Sequence, residues 1–316
     1  MKSWACASLL IGIIFLSAVF MTPAPTHKIK TKAALGKKLF LDKNISKDSS
    51  VSCASCHIPA FAFADTIAFS IGIGGKPTSR NAPSVLNMKF RPYFFWDGRS
   101  ASLEEQALIP IENPDEMGIP VHELISRLNR SPEYVKNFRR VFREQPNAKN
   151  LAAALSAFER TLETVDSKFD FWSNNKGELS EQEERGRQLF IGSKAKCFDC
   201  HFQIDFTDDS FKNIGLYDAK ELNDEGRYRI TGDSSDIGKF KTPGLRNVGV
   251  TAPYMHNGMF ETLDQVLAYY NTPGHFVDGA INIDSTLREP LRLTPAEKKD
   301  IIAFLKTLTD KAYVRP

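Results

Sequence analysis

Two short segments of this chain have residue types and spacing that can do chemistry. Residues 53–57 read CASCH and residues 197–201 read CFDCH. In Cys-x-x-Cys-His, the two cysteines tie a haem to the chain through thioethers and the histidine ligates its iron. The chain has five cysteines, and apart from Cys6 all of them (Cys53, Cys56, Cys197 and Cys200) belong to these segments. No thiol is left for the disulfide framework usual in exported proteins. A zinc ribbon needs its two pairs close together and no histidine after each, whereas these pairs start 144 residues apart. A thioredoxin-type pair normally occurs once, beside a βαβ pattern that is absent from this sequence. The expectation is two covalently bound c-type haems, with His57 and His201 as proximal iron ligands. Each histidine fills one face of its iron, and what occupies the other face separates an electron carrier from a catalyst. Of the other histidines, His122 reads as a hydrogen-bonded structural residue and His27 lies in the leading tail. His256 and His275 flank the late part of the second half.

The elements that must position these motifs are mostly helical. The approaches LGKKLFLDKNISKDSSVSCASCH and RGRQLFIGSKAKCFDCH share a Gly-basic-x-Leu-Phe helical segment, then a polar loop, then the motif. A repeat of this size implies two related domains, each wrapping one cofactor, and not a solenoid with its much shorter units. Leu151, Leu155, Phe158 and Leu162 recur at helical spacing. Ser180 with Glu183 forms a capping box, and Thr294-Pro295-Ala296-Glu297 opens a closing helix with proline at its first position. Between helices lie long loops such as IGIGGKPTSRNAPS and PIENPDEMGIP. Loops of this length are usually functional or disordered, and wrapping a flat cofactor would order them. The expected boundaries are 28–170 for the first domain and 171–316 for the second.

Lys2 and the apolar run from Ala5 to Phe20 make residues 1–27 a secretory signal or an uncleaved membrane anchor. Either way the remainder is exported, which points to the periplasm. The 41 basic residues against 38 acidic give a net charge of +3, without the concentrated basic excess of a nucleic-acid binder.

With the segments SRNAPSVLN, FFWDGRSASLEEQALIPIENPDEMG and FKTPGLRNVGVTAPYMHNGMFETLDQVLAYYN added in order, the chain resembles the bacterial di-haem cytochrome c peroxidase and MauG family over roughly residues 30–310. The resemblance implies a mainly α fold of two cytochrome-c-like domains. One haem reacts with peroxide, the other is low-spin and handles electrons, and a calcium ion lies between them. The family's reactive-pocket motif falls on Gln106, Pro110 and Glu116. Moving a proton between the two oxygens of peroxide needs a buried acid/base, which a carboxylate supplies. The residues alone leave Glu112 and Asp115 equally eligible, and the motif selects Glu116. Trp96 matches the family's tryptophan between the haems, although on its own it reads as a core aromatic. The calcium positions fall on the Asn81 side chain and the Thr251 and Pro253 carbonyls, an all-oxygen set suited to a hard cation.

Two departures from the peroxidase pattern matter. Many family peroxidases carry a second histidine sixteen residues after the first proximal one, where this chain has Ile73. Isoleucine cannot ligate iron, so the first haem should keep an open sixth position in every redox state. Their low-spin haem takes a methionine fourteen residues beyond the APYxH histidine, where this chain has Tyr270, as MauG-like proteins do. A phenolate there lowers the reduction potential relative to a thioether. Tyr269, Met255 and Met259 are the alternatives.

The expected function is reduction of hydrogen peroxide with electrons from a small cytochrome or copper protein. A MauG-like oxidase acting on a protein substrate is the alternative. A di-haem carrier without turnover fits less well, because an open iron position invites side reactions. A homodimer is one of the oligomeric states open to the chain.

Overall fold

A computed structural model describes residues 28–314. The apolar run, Cys6 and His27 lie outside the described residues. Among those described, no helix is long and apolar enough to cross a membrane.

The fold is mainly α. The first half contains α1 (Lys32–Leu41), α2 (Cys53–Cys56), α3 (Leu103–Gln106), α4 (Ile109–Glu112), α5 (Val121–Arg130), α6 (Pro132–Phe142) and α7 (Ala148–Glu159). After these come α8 (Lys168–Ser173), α9 (Glu181–Ile191), α10 (Tyr228–Thr231), α11 (Leu263–Asn271) and α12 (Pro295–Thr307). Among the described residues the one sheet pairs β1 (Phe211–Lys212) with β2 (Phe240–Lys241), antiparallel. Both expected caps form. Ser180 and Glu183 close a capping box at the start of α9, and Thr294 and Glu297 do so on α12 with Pro295 inside.

Two helix crossings organise two cores. In the first, α1 packs on α7, and Leu35, Leu39 and Phe40 meet Leu151, Leu155 and Phe158. In the second, α9 packs on α12, and Phe190 meets Ile301, Phe304 and Leu305. The glycine of the shared Gly-basic-x-Leu-Phe segment explains both crossings. A Cβ on Gly36 would lie 1.8 Å from the Ala154 carbonyl oxygen, and one on Gly186 would lie 1.9 Å from that of Asp300. Only glycine lets the backbones approach this closely. The C-terminal segment then returns to the first half: Tyr313 packs against the first core, and Asp310 accepts from the amides of Val165 and Asp166.

At both crossings the obstruction is a helix carbonyl that cannot rotate aside. Gly36→Ala and Gly186→Ala should therefore each destabilise the holoprotein by about 1–3 kcal/mol. The expected readout is a lowered thermal midpoint, and an unchanged midpoint in both variants would refute the crossing role.

Candidate functional site

The two Cys-x-x-Cys-His segments face one continuous cavity of about 770 Å³, lined by Cys56, His57, Cys197, Cys200 and His201 among others. Cys53 packs against the first core. The first motif sits on α2, whose start is set by Ser52 and Ser55 in a reciprocal cap. Nδ1 of His57 lies 3.3 Å from the Phe63 carbonyl and 3.1 Å from that of Pro83. Nδ1 of His201 lies 2.9 Å from the Phe206 carbonyl. An imidazole that donates from Nδ1 to a carbonyl is held in one tautomer and presents the Nε2 lone pair to a metal. Burial pushes the four thiols well above their ordinary range, with Cys56 and Cys200 at about 11. A low-pKa thiolate of the kind redox pairs use is not favoured in these surroundings. Among the described residues, no group of three His, Cys, Asp or Glu side chains could hold a metal ion between them. Tethered histidines, unpaired cysteines and a large shared cavity fit two c-type haems.

The cavity wall repeats itself at an offset of 160 residues. Asn81-Ala82-Pro83 returns as Lys241-Thr242-Pro243, and Asn87 as Asn247, both with positive φ. The hairpin closed by the Phe94–Ser100 bridge returns as the one closed by Tyr254–Phe260. In both hairpins the second residue and the glycine have positive φ: Phe95 with Gly98, and Met255 with Gly258. Each hairpin leads into a helix capped by a hydroxyl, α3 by Ser102 and α11 by Thr262. In this register Trp96 matches His256, Gln106 matches Val266, and Pro110 matches Tyr270. All six line the cavity. Pro110 and Tyr270 therefore hold one register position on the wall of the cavity. One half offers a proline without a donor atom and the other a phenol.

Of the three candidate acids, only Glu116 turns inward. Glu112 accepts from the Val121 amide at 2.9 Å, capping α5, and exposed Asp115 pairs with Lys76. Glu116 lines the cavity and accepts from the Asn113 amide at 2.7 Å. Burial raises its pKa, offset by that hydrogen bond and by Arg99. Ile73 is not on the cavity wall. Its side chain presses on Gly118, where a Cβ would fall 2.2 Å from it, and its amide donates to the Glu116 carbonyl at 2.9 Å. The residue at the expected second-histidine position thus anchors the turn that carries Glu116.

Around the second motif, Tyr270 and Met255 face the cavity. Burial pushes the Tyr270 phenol far up, with the Cys200 and Cys197 sulfurs adding to the shift. Tyr269 is buried away from the cavity, its hydroxyl donating to the Ile214 carbonyl. Met259 is exposed.

Between the halves, the Trp96 indole donates to the Asn81 carbonyl at 2.9 Å and meets the His256 ring edge-on at 6.5 Å. Phe240 stacks on the other side of His256 at 3.7 Å. Arg80 joins Asp97 to Asp224, and buried Lys241 lies beside Asp209. Sequence reasoning passed over these charged residues, and the Pro83 and Pro243 carbonyls behind the histidines. The only signal for the prolines was the NAP/KTP echo at the 160-residue offset. Asn81, Thr251 and Pro253 line the same cavity. The Asn81 amide nitrogen donates to the carbonyls of Ile67 and Ala68, which turns its oxygen away from them.

A family model described as di-haem cytochrome c peroxidase matches residues 30–178. The methylamine utilization protein MauG of Methylorubrum extorquens is 40% identical over 284 residues, which cover 88% of this chain and 78% of that protein. This chain belongs to the di-haem cytochrome c peroxidase family. The cytochrome c551 peroxidase of Nitrosomonas europaea is 36% identical over 315 residues, 96% of this chain and 89% of that one. A crystal structure of a MauG-like protein associated with microbial copper homeostasis superposes with a TM-score of 0.83 at 35% identity, covering 90% of this chain and 91% of the other. As a member of this family the chain is a peroxidase-type oxidoreductase with two haems.

Proposed function

We propose that this chain is exported to the periplasm and reduces hydrogen peroxide there, drawing electrons from a small cytochrome or copper protein. In this reading residues 28–170 carry the peroxide-reactive haem and residues 171–316 the electron-transfer haem. The observation that carries the reading is the unequal pair Pro110 and Tyr270 at one repeated position on the cavity wall. When bound, the first haem supplies the iron at which the peroxide O–O bond is broken and the electrons are delivered. Reduction of one peroxide to two waters consumes two electrons and two protons, and the chain's own residues handle those protons. Glu116 takes the proton from one peroxide oxygen and returns it to the other. Gln106 holds the substrate by a hydrogen bond, and Pro110 shapes the pocket without offering a ligand. His57 and His201 would each ligate a haem iron, the four cysteines would anchor the haems, and Tyr270 would ligate the iron of the electron-transfer haem. Trp96 relays electrons between the two sites. Asn81, through its side-chain oxygen, and the Thr251 and Pro253 carbonyls would hold calcium, an all-oxygen set suited to a hard cation.

A MauG-like oxidation of a protein substrate is the second reading. Tyr270 at the cavity favours it, because an anionic ligand stabilises higher oxidation states.

Glu116 must be ionised to accept a proton, and its pKa is raised by burial. The peroxide reaction should therefore speed up as pH rises through that pKa, then level off. Glu116→Gln should lower the rate by roughly 10²–10⁴-fold and flatten the profile; unchanged turnover would refute the assignment. Spin states test the second site: the ferric protein should contain one high-spin and one low-spin haem. Tyr270→Phe should alter the low-spin signal while Tyr269→Phe leaves it intact, and the reverse pattern would exclude Tyr270 as ligand. In stopped flow, the diferric protein should react with peroxide at once. A requirement for prior one-electron reduction would overturn the reading of an open first site.

A further inference from the structure

The two halves place equivalent helices at equivalent positions, and one position breaks the equivalence with an ionisable group. Gly36 lies under Ala154 and Phe158 of α7 as Gly186 lies under Asp300 and Phe304 of α12. The next residue after each phenylalanine therefore occupies the same place, Glu159 in the first half and Leu305 in the second. Both line the cavity, and they are only 6% and 5% exposed. Leucine suits the wall of an apolar cofactor pocket, whereas an ionised carboxylate there is costly unless something compensates it.

Within the described residues nothing does. The Glu159 carboxyl makes no hydrogen bond or ion pair with any of them. Its neighbour Arg160 is turned outward with both ends of its guanidinium on Glu104 of α3, at 2.6 and 2.8 Å. The charged groups acting on Glu159 are Arg160, which favours ionisation, and Glu104, which opposes it; burial, reinforced by Glu104, outweighs Arg160 and pushes the carboxyl up to about 8. The charged groups of the other helices packed on α7 are engaged elsewhere or exposed. On α1, Lys32 and Lys37 are exposed and Lys38 pairs with Glu133, and on α3 Glu105 accepts from the Ala101 amide. On α5, Arg127 donates to the carbonyls of Asn44 and Ser46, while His122, Glu123 and Arg130 are exposed. Towards the motif, Glu159 and Glu116 both lie within electrostatic reach of Cys53. A buried carboxyl with no protein partner, facing a pocket whose charge changes with every electron, can compensate that charge only by gaining or losing a proton.

We propose that Glu159 is the proton-linked group of the first haem pocket, its carboxylate taking up one proton from solvent as one electron enters and releasing it as the electron leaves. The balance is one electron and one proton into the pocket, leaving its net charge unchanged. The electron comes from the redox donor and the proton converts carboxylate to carboxylic acid. Leu305 denies the second pocket this particular coupling. The assignment makes Glu159 a proton store distinct from Glu116, which works on the peroxide itself. It rests on the reading of the first half's side of the cavity as the reactive haem's pocket.

The test is spectroelectrochemistry of the purified holoprotein, using the separate absorption changes of the two haems across pH. In the unaltered protein the first haem's midpoint potential should fall as pH rises around about 8, approaching about 59 mV per tenfold change in proton activity for one proton per electron. Glu159→Gln, which keeps the shape, and Glu159→Leu, which copies the second half, should both flatten that dependence. Neither should change the pH dependence of the second haem. The reduced-minus-oxidised infrared spectrum should also show a carboxylic acid C=O band that disappears in Glu159→Gln. Equal slopes in all three proteins, or a band that persists in Glu159→Gln, would overturn the proposal. Failure of the underlying reading looks different: the signal of a first haem would be missing, not merely insensitive to pH. No peroxide is present, so the outcome does not depend on the role of Glu116.

Discussion

Two equivalent backbone hydrogen bonds clamp the hairpins of the two halves, and the rest of the site depends on them. The Asn81 amide donates to the His256 carbonyl at 2.7 Å, and the Lys241 amide donates to the Trp96 carbonyl, also at 2.7 Å. In the 160-residue register these are one bond made twice with the halves exchanged. Each half clamps the other's hairpin, and each hairpin aims an aromatic side chain, Trp96 or His256, at the space between the two sites. Main-chain bonds of this kind do not depend on side-chain identity. The pairing can therefore persist while the residues it positions diverge.

That freedom lets one scaffold build two unlike pockets. The same cap, hairpin and helix present Gln106 and Pro110 on one side and Val266 and Tyr270 on the other. The same glycine-mediated crossing presents Glu159 in one core and Leu305 in the other. Where the first half has Pro110, without a ligating atom, and the ionisable Glu159, the second has Tyr270, which can supply a ligand, and Leu305, which is apolar. Around this frame, arginines join distant segments. Arg91 reaches Asp205 and Asp209, and Arg246 reaches Asp170 and Asp205, all through largely buried guanidinium groups that match carboxylates in shape as well as charge.

Much of the helical frame was legible in the sequence because its signals are local. The Gly-basic-x-Leu-Phe segments, the capping boxes of α9 and α12 and the apolar stripe of α7 all act within a turn or two of chain. The 160-residue echo was harder to see, since it runs through loops where only backbone conformation is shared. Pro83 matches Pro243, but Trp96 matches His256 and Pro110 matches Tyr270, pairs with no chemical likeness. Glu159 was hidden for a related reason. One glutamate in AFERTL sits where a helix surface could equally face water, and its burial depends on a crossing set by a glycine far away in the sequence.

The sequence by itself determined the two Cys-x-x-Cys-His anchors, the helical class and the family, because covalent motifs and helix periodicity are written in consecutive residues. Only the tertiary structure decided which of Glu112, Asp115 and Glu116 faces the cavity, which of Tyr269 and Tyr270 does, and that Ile73 braces a turn without lining the pocket. Those choices are made by the direction of a side chain at a fixed point on the backbone. Direction comes from what packs behind the residue: Gly118 behind Ile73, the Ile214 carbonyl beyond Tyr269, and the Val121 amide holding Glu112 outward. None of these partners adjoins in sequence the residue it orients.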